Sequence, residues 1–561
     1  MRLDGAFDVI VLGGGINGVG VYRELTLQGL RVLLVERNDF CSGCSAAPSR
    51  MIHGGLRYLE NGEFGLVWES LRERDALLAN APHMVRPLPT TIPIESLFSG
   101  MMNGAVGFFG LSGRPASRGA LPIKIGLMLY DWITRHRRRL PRHRFRGARS
   151  TLALWPALSP KLRFSATYYD AWISYPERLG VELILDTQRL APDSIALNHA
   201  ELTPHGHGFM VTDKTSGEQV PVSARAMVNA TGAWLDESLA LMADGSADVE
   251  PFVSGTKGSH LVLDHPELYA ALGGHMIFFE HADGRVCIVF PYLGRVLAGS
   301  TDIRVDRAAR VRCEPEERDY ILEALHRVFP GIEVGSEHIV FSYSGIRPLP
   351  RSDHEFTGRI PRSHFVHRLD RAVPQFCMVG GKWTTFRAFA EQTADAVLAE
   401  LGKPRVASTL DMPIGGGSGF PPEAGTLAAE LVKRHDIPAD RAAHLVDLYG
   451  TRAEEVLAFC KRRSDDRPLV EGCQVTTGEI AFLVQHEFAL GLADVLLRRT
   501  PLSIRGIVST ELTCSAAAVL ADELGWDEVK TTREVKTFTA ELADYHGVSP
   551  EMLDQRDKRR S

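Results

Sequence analysis

The chain is poor in cysteine, with only eight scattered among its 561 residues. That distribution is too sparse for a disulfide framework and is typical of a protein kept in a reducing cytoplasm. No stretch reaches the roughly 18 uncharged apolar residues that a membrane-spanning helix needs. The N-terminus also lacks the basic start and the apolar segment of a secretory signal. We therefore expect a cytoplasmic protein without a membrane span.

A strong net charge is also missing, since the chain carries only -6 at pH 7. So small a value indicates no class of partner by itself, and any partner signal must come from local clusters. No group of His, Cys, Asp or Glu residues has convincing metal-ligand spacing, and no metal is expected.

Residues 8–36 have the clearest local organisation in the sequence. An apolar β-branched run stops at Gly13, a helix-like segment follows, and a second apolar run ends the unit, as in a strand–helix–strand motif. The spacing Gly13-x-Gly15-x-x-Gly18 matches a tight turn, close approach to a pyrophosphate and close helix packing, each of which excludes a side chain. Free N–H groups at the start of the helix would face the anion. The unit predicts a dinucleotide site.

Glu36 stands at the end of the second strand, about 20 residues past the glycines. Its carboxylate can accept hydrogen bonds from ribose hydroxyls and would repel a 2'-phosphate, which favours FAD or NAD over NADP. Cys41 and Cys44 follow with the spacing of a redox pair, but not at the start of a helix in a thioredoxin-like context. Of the two interpretations, a redox role and small residues packed near the cofactor, packing is favoured.

Two later turns lead back to the same site. Short apolar strands end just before Thr231 and Gly232 and again just before Gly380 and Gly381. The second turn precedes a helix whose N-terminus can face an anion. The dinucleotide-binding domain is therefore predicted to be discontinuous.

The chain divides further by composition. Strand-like alternation between 282 and 301 predicts a substrate-cap domain within a body of residues 1–411. Residues 412–422 are rich in glycine and proline and are predicted to form a linker. Helical apolar spacing predicts a C-terminal domain over 423–545 and a charged tail over 546–561, of which the end, 554–561, is predicted to be disordered.

The stretch from about 97 to 149 combines apolar segments with dense positive charge. Residues 98–111 and 123–133 are apolar but too short to cross a bilayer. Between 124 and 149, nine basic residues stand against one acidic residue, a net +8. An interfacial anchor on an anionic membrane surface requires this combination. Each basic residue near the surface contributes about 1 kcal/mol to the free energy of membrane binding. A solvated basic loop is the alternative. A nucleic-acid surface lacks a recognisable binding module, so no nucleic-acid partner is expected.

Seven strings spread between residue 8 and about residue 400 form a specific set. They are Gly13-Gly-Gly-Ile-Asn-Gly18, Ile52-His-Gly-Gly-Leu-Arg-Tyr-Leu59, Asn229-Ala-Thr-Gly-Ala-Trp234, Lys257-Gly-Ser-His260, Gly299-Ser-Thr-Asp302, Tyr343-Ser-Gly-Ile-Arg347-Pro-Leu349 and Gly380-Gly-Lys-Trp-Thr-Thr-Phe-Arg387. In this order they resemble the FAD-dependent, respiratory glycerol-3-phosphate dehydrogenases. The set is far more specific than the glycine motif alone.

The resemblance implies an α/β fold with a discontinuous, Rossmann-like FAD-binding domain, an α+β substrate-cap domain and a C-terminal α-helical domain. It also implies FAD as the cofactor. The expected cofactor-binding residues are Gly13, Gly15, Asn17, Gly18, Glu36, Thr231, Gly232, Gly381 and Thr385.

The expected substrate is a small phosphorylated polyol. Its phosphate can be bound by the forked donors of a guanidinium group and by the compact charge of an ammonium group. The residues that can supply these groups are Arg347, Arg362 and Lys382. The resemblance implies that Arg57 and Tyr58 line the same pocket. The expected catalytic residues are His260, His53, Arg347 and Lys382.

The reaction that the resemblance implies is oxidation of sn-glycerol 3-phosphate to dihydroxyacetone phosphate by hydride transfer to FAD, with electrons passed to a membrane quinone. A base must remove the hydroxyl proton, and histidine suits this task because its ordinary pKa is near 6.5. Of the candidates His53 and His260, the second is favoured. The expected location is peripheral, on the inner face of the membrane, and a homodimer is left open.

Two departures from the family pattern bear on the substrate. The family typically has paired aspartates followed by Ala-Arg-Leu after its aromatic-Trp string, whereas this chain has Trp172-Ile-Ser-Tyr-Pro-Glu-Arg-Leu179. Arg50 also replaces a lysine before Met-Ile-His53. We expect the chemistry and the cofactor to survive, but the changed string can reshape the pocket for a longer polyol phosphate such as erythritol 4-phosphate. An FAD-dependent tRNA-modifying or nucleic-acid-binding flavoprotein is the alternative of another class.

Overall fold

The computed structural model describes residues 3, 5–55, 63–95, 123–124, 126–128, 140–242, 250–281, 283–352, 360 and 362–560. Most of the basic stretch predicted from 97 to 149 lies outside the described residues. So do two predicted substrate-binding residues, Arg57 and Tyr58.

The strands of the described residues form two large sheets. They are β1 (Ala6–Leu12), β2 (Val32–Val35), β3 (Met51–Ile52), β4 (Val85–Ile94), β5 (Arg144–Gly147), β6 (Phe164–Ile173), β7 (Ile195–Leu197), β8 (Ala200–His205), β9 (Gly208–Asp213), β10 (Gln219–Asn229), β11 (Val253–Leu263), β12 (Met276–Glu280), β13 (Val286–Tyr292), β14 (Arg295–Gly299), β15 (Ile303–Val305), β16 (Ile339–Pro350), β17 (Phe365–Leu369) and β18 (Gln375–Val379).

The first sheet is the core of a Rossmann-like domain. Its strand order is β17-β18-β10-β1-β2-β7, parallel except for β17, and β8 and β9 extend it beyond β10. In the central strand β1, Val9, Ile10 and Val11 are fully buried, as expected for a parallel strand covered on both faces. The strands come from separate parts of the chain, so this domain is discontinuous, as predicted.

The second sheet belongs to the α+β cap. Its order is β15-β11-β14-β13-β12-β4-β6-β3, with β16 paired to β11 and β5 paired to β6. Most neighbours are antiparallel, and β13 and β14 fall in the region where alternation predicted strands. The pairing of β11 with β16 sets His260 opposite Tyr343 and Thr256 opposite Arg347. Two of the predicted site residues therefore lie on adjacent strands.

The helices of the described residues cover both sheets and build the C-terminal domain. They are α1 (Ile16–Leu27), α2 (Phe64–Asn80), α3 (Ala148–Leu154), α4 (Pro176–Leu190), α5 (Leu235–Leu241), α6 (Pro266–Ala271), α7 (Pro315–Val328), α8 (Phe386–Glu400), α9 (Ala424–His435), α10 (Ala439–Tyr449), α11 (Ala453–Lys461), α12 (Thr477–His486), α13 (Thr510–Leu524), α14 (Glu528–His546) and α15 (Pro550–Lys558), with a π-helical turn at Asp494–Arg499.

The segment predicted to be a linker, 412–422, is packed rather than loose. A Cβ on Gly416 would lie 1.9 Å from the carbonyl oxygen of Tyr449, and a Cβ on Gly417 would lie 2.2 Å from that of Asn80. The glycines are therefore needed for close packing between the body and the C-terminal helices. Their composition predicted flexibility because sequence alone does not show which backbone approaches them.

The end of the charged tail, 554–561, was predicted to be disordered, but most of it belongs to helix α15 (Pro550–Lys558). Ser549 caps this helix through its side chain, and Leu553 is buried against the rest of the C-terminal domain. Arg556 donates hydrogen bonds to the carbonyl oxygens of Val508 and Val340, at 2.9 and 2.8 Å. These contacts fix the charged segment to the domain and to β16, which is why the prediction from composition was wrong.

The C-terminal helices share a continuous apolar core with the body. One cluster of buried side chains runs from Val9 and Val228 in the first sheet, through Leu179 on α4, to Leu445 and Phe482. Apolar burial of this extent is the main favourable contribution to domain docking. The body and the C-terminal domain are therefore held together by their interior as well as by surface contacts.

The described part of the basic stretch lies against the cap sheet. Ile123 and Leu127 are buried beside β4 and β6, whereas Met128 is 56% exposed. The exposed cations here are Lys124, Arg142, Arg144 and Arg149. Among the described residues, no helix combines the length and the apolar character needed to cross a membrane.

Candidate active site

The glycines in the turn between β1 and α1 have different structural roles. Gly13 has a φ of +100°, and a Cβ there would lie 2.8 Å from the carbonyl oxygen of Ala230. Gly15 immediately precedes α1, so a side chain there would stand at the helix N-terminus. A Cβ on Gly18 would lie 1.9 Å from the carbonyl oxygen of Gly13. The turn leaves the N-terminus of α1 open to an anion.

Glu36 is held by the turn it faces. Its Oε2 accepts a hydrogen bond from the Gly14 N–H at 2.7 Å, and its Oε1 accepts one from the Asn38 N–H at 2.8 Å. Burial raises the pKa of this carboxyl group, while the two N–H donors oppose the rise. The carboxylate is thus fixed next to the glycine turn, where a ribose would bring its hydroxyls.

The two later turns meet the first at the carboxyl end of the parallel sheet. The Thr231 hydroxyl donates to Asn229 Oδ1 at 2.7 Å, which fixes the turn after β10. Asn17 Nδ2 on α1 donates to the carbonyl oxygen of Gly380 at 3.3 Å. A Cβ on Gly381 would lie 2.5 Å from this amide nitrogen, so the approach of the two turns depends on that glycine.

A cleft of about 1140 Å³ runs past these turns and continues toward the cap. The predicted residues on its lining are Gly13, Gly15, Asn17, Glu36, Thr231, Gly232, Gly381, His53, Arg347, Arg362 and Lys382. Ligands of open α/β sheets bind outside the carboxyl ends of the strands, and the cleft occupies that position. One cavity therefore joins the predicted cofactor residues to the predicted substrate residues.

Of the predicted site residues that the structure describes, three do not line the cleft. They are Gly18, Thr385 and His260. Gly18 acts in packing, as its contact with Gly13 shows. Thr384 faces the cleft in place of the fully buried Thr385, and its hydroxyl accepts a hydrogen bond from the His53 N–H at 3.2 Å.

The two arginines of the site flank one carboxylate. Arg347 Nη1 donates to Asp302 Oδ1 at 2.9 Å, and Arg362 Nη2 lies 3.5 Å from Asp302 Oδ2. Arg347 Nη2 also donates to the hydroxyl of Ser300 at 3.1 Å. A Cβ on Gly258 would lie 2.1 Å from Arg347 Nη2, so the glycine in Lys-Gly-Ser-His leaves room for the guanidinium group.

Lys382 and His53 have strongly altered basicity. Burial lowers the pKa of Lys382 to about 7, although Glu69 and Glu63 oppose the change, and its Nζ donates to the Ser70 hydroxyl at 3.0 Å. Burial, assisted by the charge of Lys382 among others, lowers the pKa of His53 to about 4. At neutral pH His53 is therefore an uncharged proton acceptor and Lys382 titrates.

His260, the favoured base candidate, lies behind the cleft. Only 1% of its surface is exposed, and its ring stacks on Tyr343 with 4.9 Å between centroids. Ser49, which lines the cleft, stands at hydrogen-bonding distance from His260 Nε2, 2.9 Å away. Burial and the charges of Arg347 and Arg50 hold the pKa of His260 well below its ordinary value.

Comparison with known proteins identifies the family of the chain. Residues 8–396 match the family described as FAD dependent oxidoreductase, and residues 407–531 match the one described as the C-terminal domain of alpha-glycerophosphate oxidase. A glycerol-3-phosphate dehydrogenase of Synechocystis sp. is 34% identical over 558 residues, which cover 95% of this chain and 96% of that protein. The chain belongs to the FAD-dependent glycerol-3-phosphate dehydrogenase family.

Two further likenesses extend the comparison. A D-erythritol 1-phosphate dehydrogenase of Brucella abortus is 29% identical over 500 residues, covering 88% of this chain and 94% of that protein. The crystal structure of glycerol-3-phosphate dehydrogenase from Bacillus halodurans complexed with FAD shares the fold, with a TM-score of 0.74 and 23% identity over 97% of this chain and 96% of that one.

FAD is the cofactor of this flavoenzyme family, and the cleft fits it. The pyrophosphate would bind at the N-terminus of α1, where Gly13 and Gly15 let the backbone approach, and Glu36 would hold the ribose. The turns at Thr231 and Gly381 close the same edge of the sheet. The bound flavin supplies the hydride acceptor.

The two departures from the family pattern meet each other in the structure. Arg50 Nη1 and Nη2 donate to the two carboxylate oxygens of Glu177, both at 2.7 Å, and the pair is buried. Pro176 starts α4, where its missing N–H costs no helical hydrogen bond. None of residues 172–179 lines the cleft. The expectation that this string reshapes the substrate pocket therefore finds no direct contact to support it.

Some site residues were missed from the sequence. Asp302 lies in one of the recognised strings but was not given a role, and Ser45, whose hydroxyl accepts from the Ile16 N–H at 2.9 Å, had no local signal. Asp39, His199 and Asp494 converge, with their ligand atoms within 4.8 Å of one another. Arginine side chains already occupy both carboxylates, which makes this group an ion-pair cluster.

Proposed function

We propose that the protein is a quinone-linked dehydrogenase that oxidises sn-glycerol 3-phosphate to dihydroxyacetone phosphate, with FAD taking the hydride. The observation that carries the proposal is the proximity of three cations to His53 on the lining of the dinucleotide cleft. Arg347 and Arg362 share the carboxylate of Asp302, and the charges of Arg362 and Lys382 act on His53. The name of the Synechocystis relative supports the same substrate.

The cations at this end suit a phosphate. Guanidinium groups bind phosphate oxygens in a forked manner, and an ammonium group adds a compact charge. Asp302 holds Arg347 and Arg362 side by side, so their orientation is set before the substrate arrives. Preorganised donors of this kind reduce the entropy that binding would otherwise lose.

His53 suits the removal of the hydroxyl proton. As the C2 hydride leaves, a ring nitrogen of His53 would take the hydroxyl proton, and the carbon becomes the ketone of the product. The ring is neutral above pH of about 4 and lines the cleft, whereas His260 is screened from the cleft by Ser49. The proposed base is therefore His53, and His260 is assigned a supporting position.

The quinone and membrane part of the proposal rests on the cap. Exposed cations at Lys124, Arg142, Arg144 and Arg149 accompany the half-exposed Met128 at the end of the basic stretch. Apolar groups beside clustered positive charge favour an anionic bilayer surface. Membrane quinone is the electron acceptor that such a location would make available.

A tetritol phosphate is the second candidate substrate. The Brucella abortus relative named D-erythritol 1-phosphate dehydrogenase supports it. The phosphate anchor and the base would be the same for both substrates, so the chemistry does not separate them.

The proposed reaction is tested by rapid anaerobic mixing with sn-glycerol 3-phosphate while flavin absorbance is followed. Wild-type protein should bleach, and His53→Gln should bleach more slowly by about a hundredfold or more, since a general base contributes about 10²–10⁴-fold. His260→Gln is the matched control and should lose much less. No bleaching in the wild-type protein would refute the substrate, and equal rates in the two variants would refute His53 as the base.

A further inference from the structure

One wall of the cofactor cleft comes from the C-terminal helical domain. Asp494, Arg498, Trp526, Lys530 and Glu534 all line the same cleft as Gly13 and Glu36. A helical domain that served only to cover the outside of the body would have no reason to place side chains in this cleft.

A group of ion pairs holds this wall next to Glu36. Asp39, three residues further on, accepts hydrogen bonds from Arg499 Nη1 and Nη2 at 2.7 and 2.8 Å and from Arg498 Nε at 2.5 Å. The arginines outweigh the effect of burial and hold the pKa of Asp39 well below its ordinary range. The loop that carries Glu36 is thus bound directly to the C-terminal domain.

A second contact places the wall on the ribose and adenine side. His199 Nε2 lies 3.0 Å from Asp494 Oδ2, and the next residue, Ala200, donates its N–H to the carbonyl oxygen of Glu36 at 2.9 Å. Asp494 is therefore close to the residue that marks the ribose position.

Helix α14 continues this wall. Glu534 Oε1 accepts a hydrogen bond from the Leu492 N–H at 2.9 Å, which ties the helix to the segment just before Asp494. Lys530 lies one turn earlier on the helix, and its Nζ is 5.1 Å from the centre of the Trp526 ring. Trp526 is partly exposed and Lys530 is exposed, so both can meet a ligand.

We propose that the C-terminal domain forms part of the FAD site, with Trp526 and Lys530 contacting the adenosine half of the cofactor. An indole ring offers a stacking surface to a purine, and a lysine ammonium group favours the negative charge of the neighbouring pyrophosphate. The inference concerns cofactor binding only and holds whichever polyol phosphate is oxidised.

The test is titration of the apoprotein with FAD, followed by flavin fluorescence. Trp526→Ala and Lys530→Glu should each raise the Kd for FAD by about fivefold to a hundredfold, the range expected when a base loses an aromatic contact or a charge is reversed. Both variants should weaken binding of ADP, which represents the adenosine and the pyrophosphate without the flavin, by a similar factor. Trp526→Phe should retain most of the affinity.

Lys536→Glu is the control, because it makes the same charge change at an exposed position on α14 that does not line the cleft. It should bind FAD as the wild-type protein does. A thermal melt of each apoprotein shows whether the variant folds. If Trp526→Ala is unstable, the FAD affinity of Lys530→Glu alone tests the proposal. Wild-type FAD affinity in Lys530→Glu, together with wild-type affinity in Trp526→Ala where that variant folds, would overturn the proposal, as would weakened FAD binding with unchanged ADP binding.

Discussion

The titration of Lys382 should make kcat/KM fall at alkaline pH. Burial lowers the pKa of its ammonium group from an ordinary value of 10.5 to about 7. The group is charged below that pH and neutral above it, so the charge that attracts the substrate phosphate disappears as the pH rises. Each further pH unit lowers the charged fraction about tenfold, so log kcat/KM should fall with a slope of about -1 until it levels off near the activity of an enzyme without this charge.

Lys382→Arg isolates this effect, because arginine stays charged throughout the range. Its kcat/KM should stay flat where that of the wild-type protein falls. Lys382→Gln should be pH-independent and lower by about tenfold to a hundredfold at the optimum, the loss expected for one charged hydrogen bond. The assay is dye reduction from about pH 6.5 to about pH 9.5, where the phosphate is largely dianionic. An unchanged alkaline limb in Lys382→Arg would refute the assignment.

Three further changes test other parts of the site. Gly15→Asp would put a carboxylate at the N-terminus of α1 and should release FAD, which the flavin-to-protein absorbance ratio would show; a normal flavin content would contradict the glycine-turn assignment. Arg347→Ala should lower kcat/KM by about tenfold to a hundredfold while FAD content stays normal. Replacing Arg137, Arg138 and Arg139 by glutamate should weaken sedimentation with anionic vesicles and quinone reduction, but not dye reduction; unchanged vesicle binding in low salt would favour a solvated loop.

The parts of the fold that could be predicted are those set by local spacing. Gly13, Gly15 and Glu36 lie within one strand–helix–strand unit, where chain geometry decides their neighbours. The turns at Thr231 and Gly381 could be placed because parallel strands end at one edge of a sheet. Their positions followed from short-range rules, although the two turns are far apart in the sequence.

Pairings between distant residues could not be predicted in this way. Arg50 and Glu177 are 127 residues apart, so the sequence shows two unrelated differences from the family pattern. Only the structure shows that the two side chains form a buried ion pair. His260 contacts Ser49 across 211 residues of sequence, so the sequence could not show that its ring lies behind a cleft-lining serine. The charge of the C-terminal tail likewise concealed its two buried apolar residues, Val548 and Leu553, which anchor the segment.

The central claim is that a phosphate anchor at Arg347, Arg362 and Lys382 selects the substrate. The most direct measurement is kcat/KM for sn-glycerol 3-phosphate, D-erythritol 1-phosphate and glycerol with one enzyme preparation. Glycerol 3-phosphate should be preferred, and glycerol should be poorer by about a hundredfold or more, because it has no phosphate for these cations to bind. A tetritol phosphate that exceeds glycerol 3-phosphate by more than about tenfold would replace the named substrate. Equal values for glycerol and its phosphate would contradict the anchor itself.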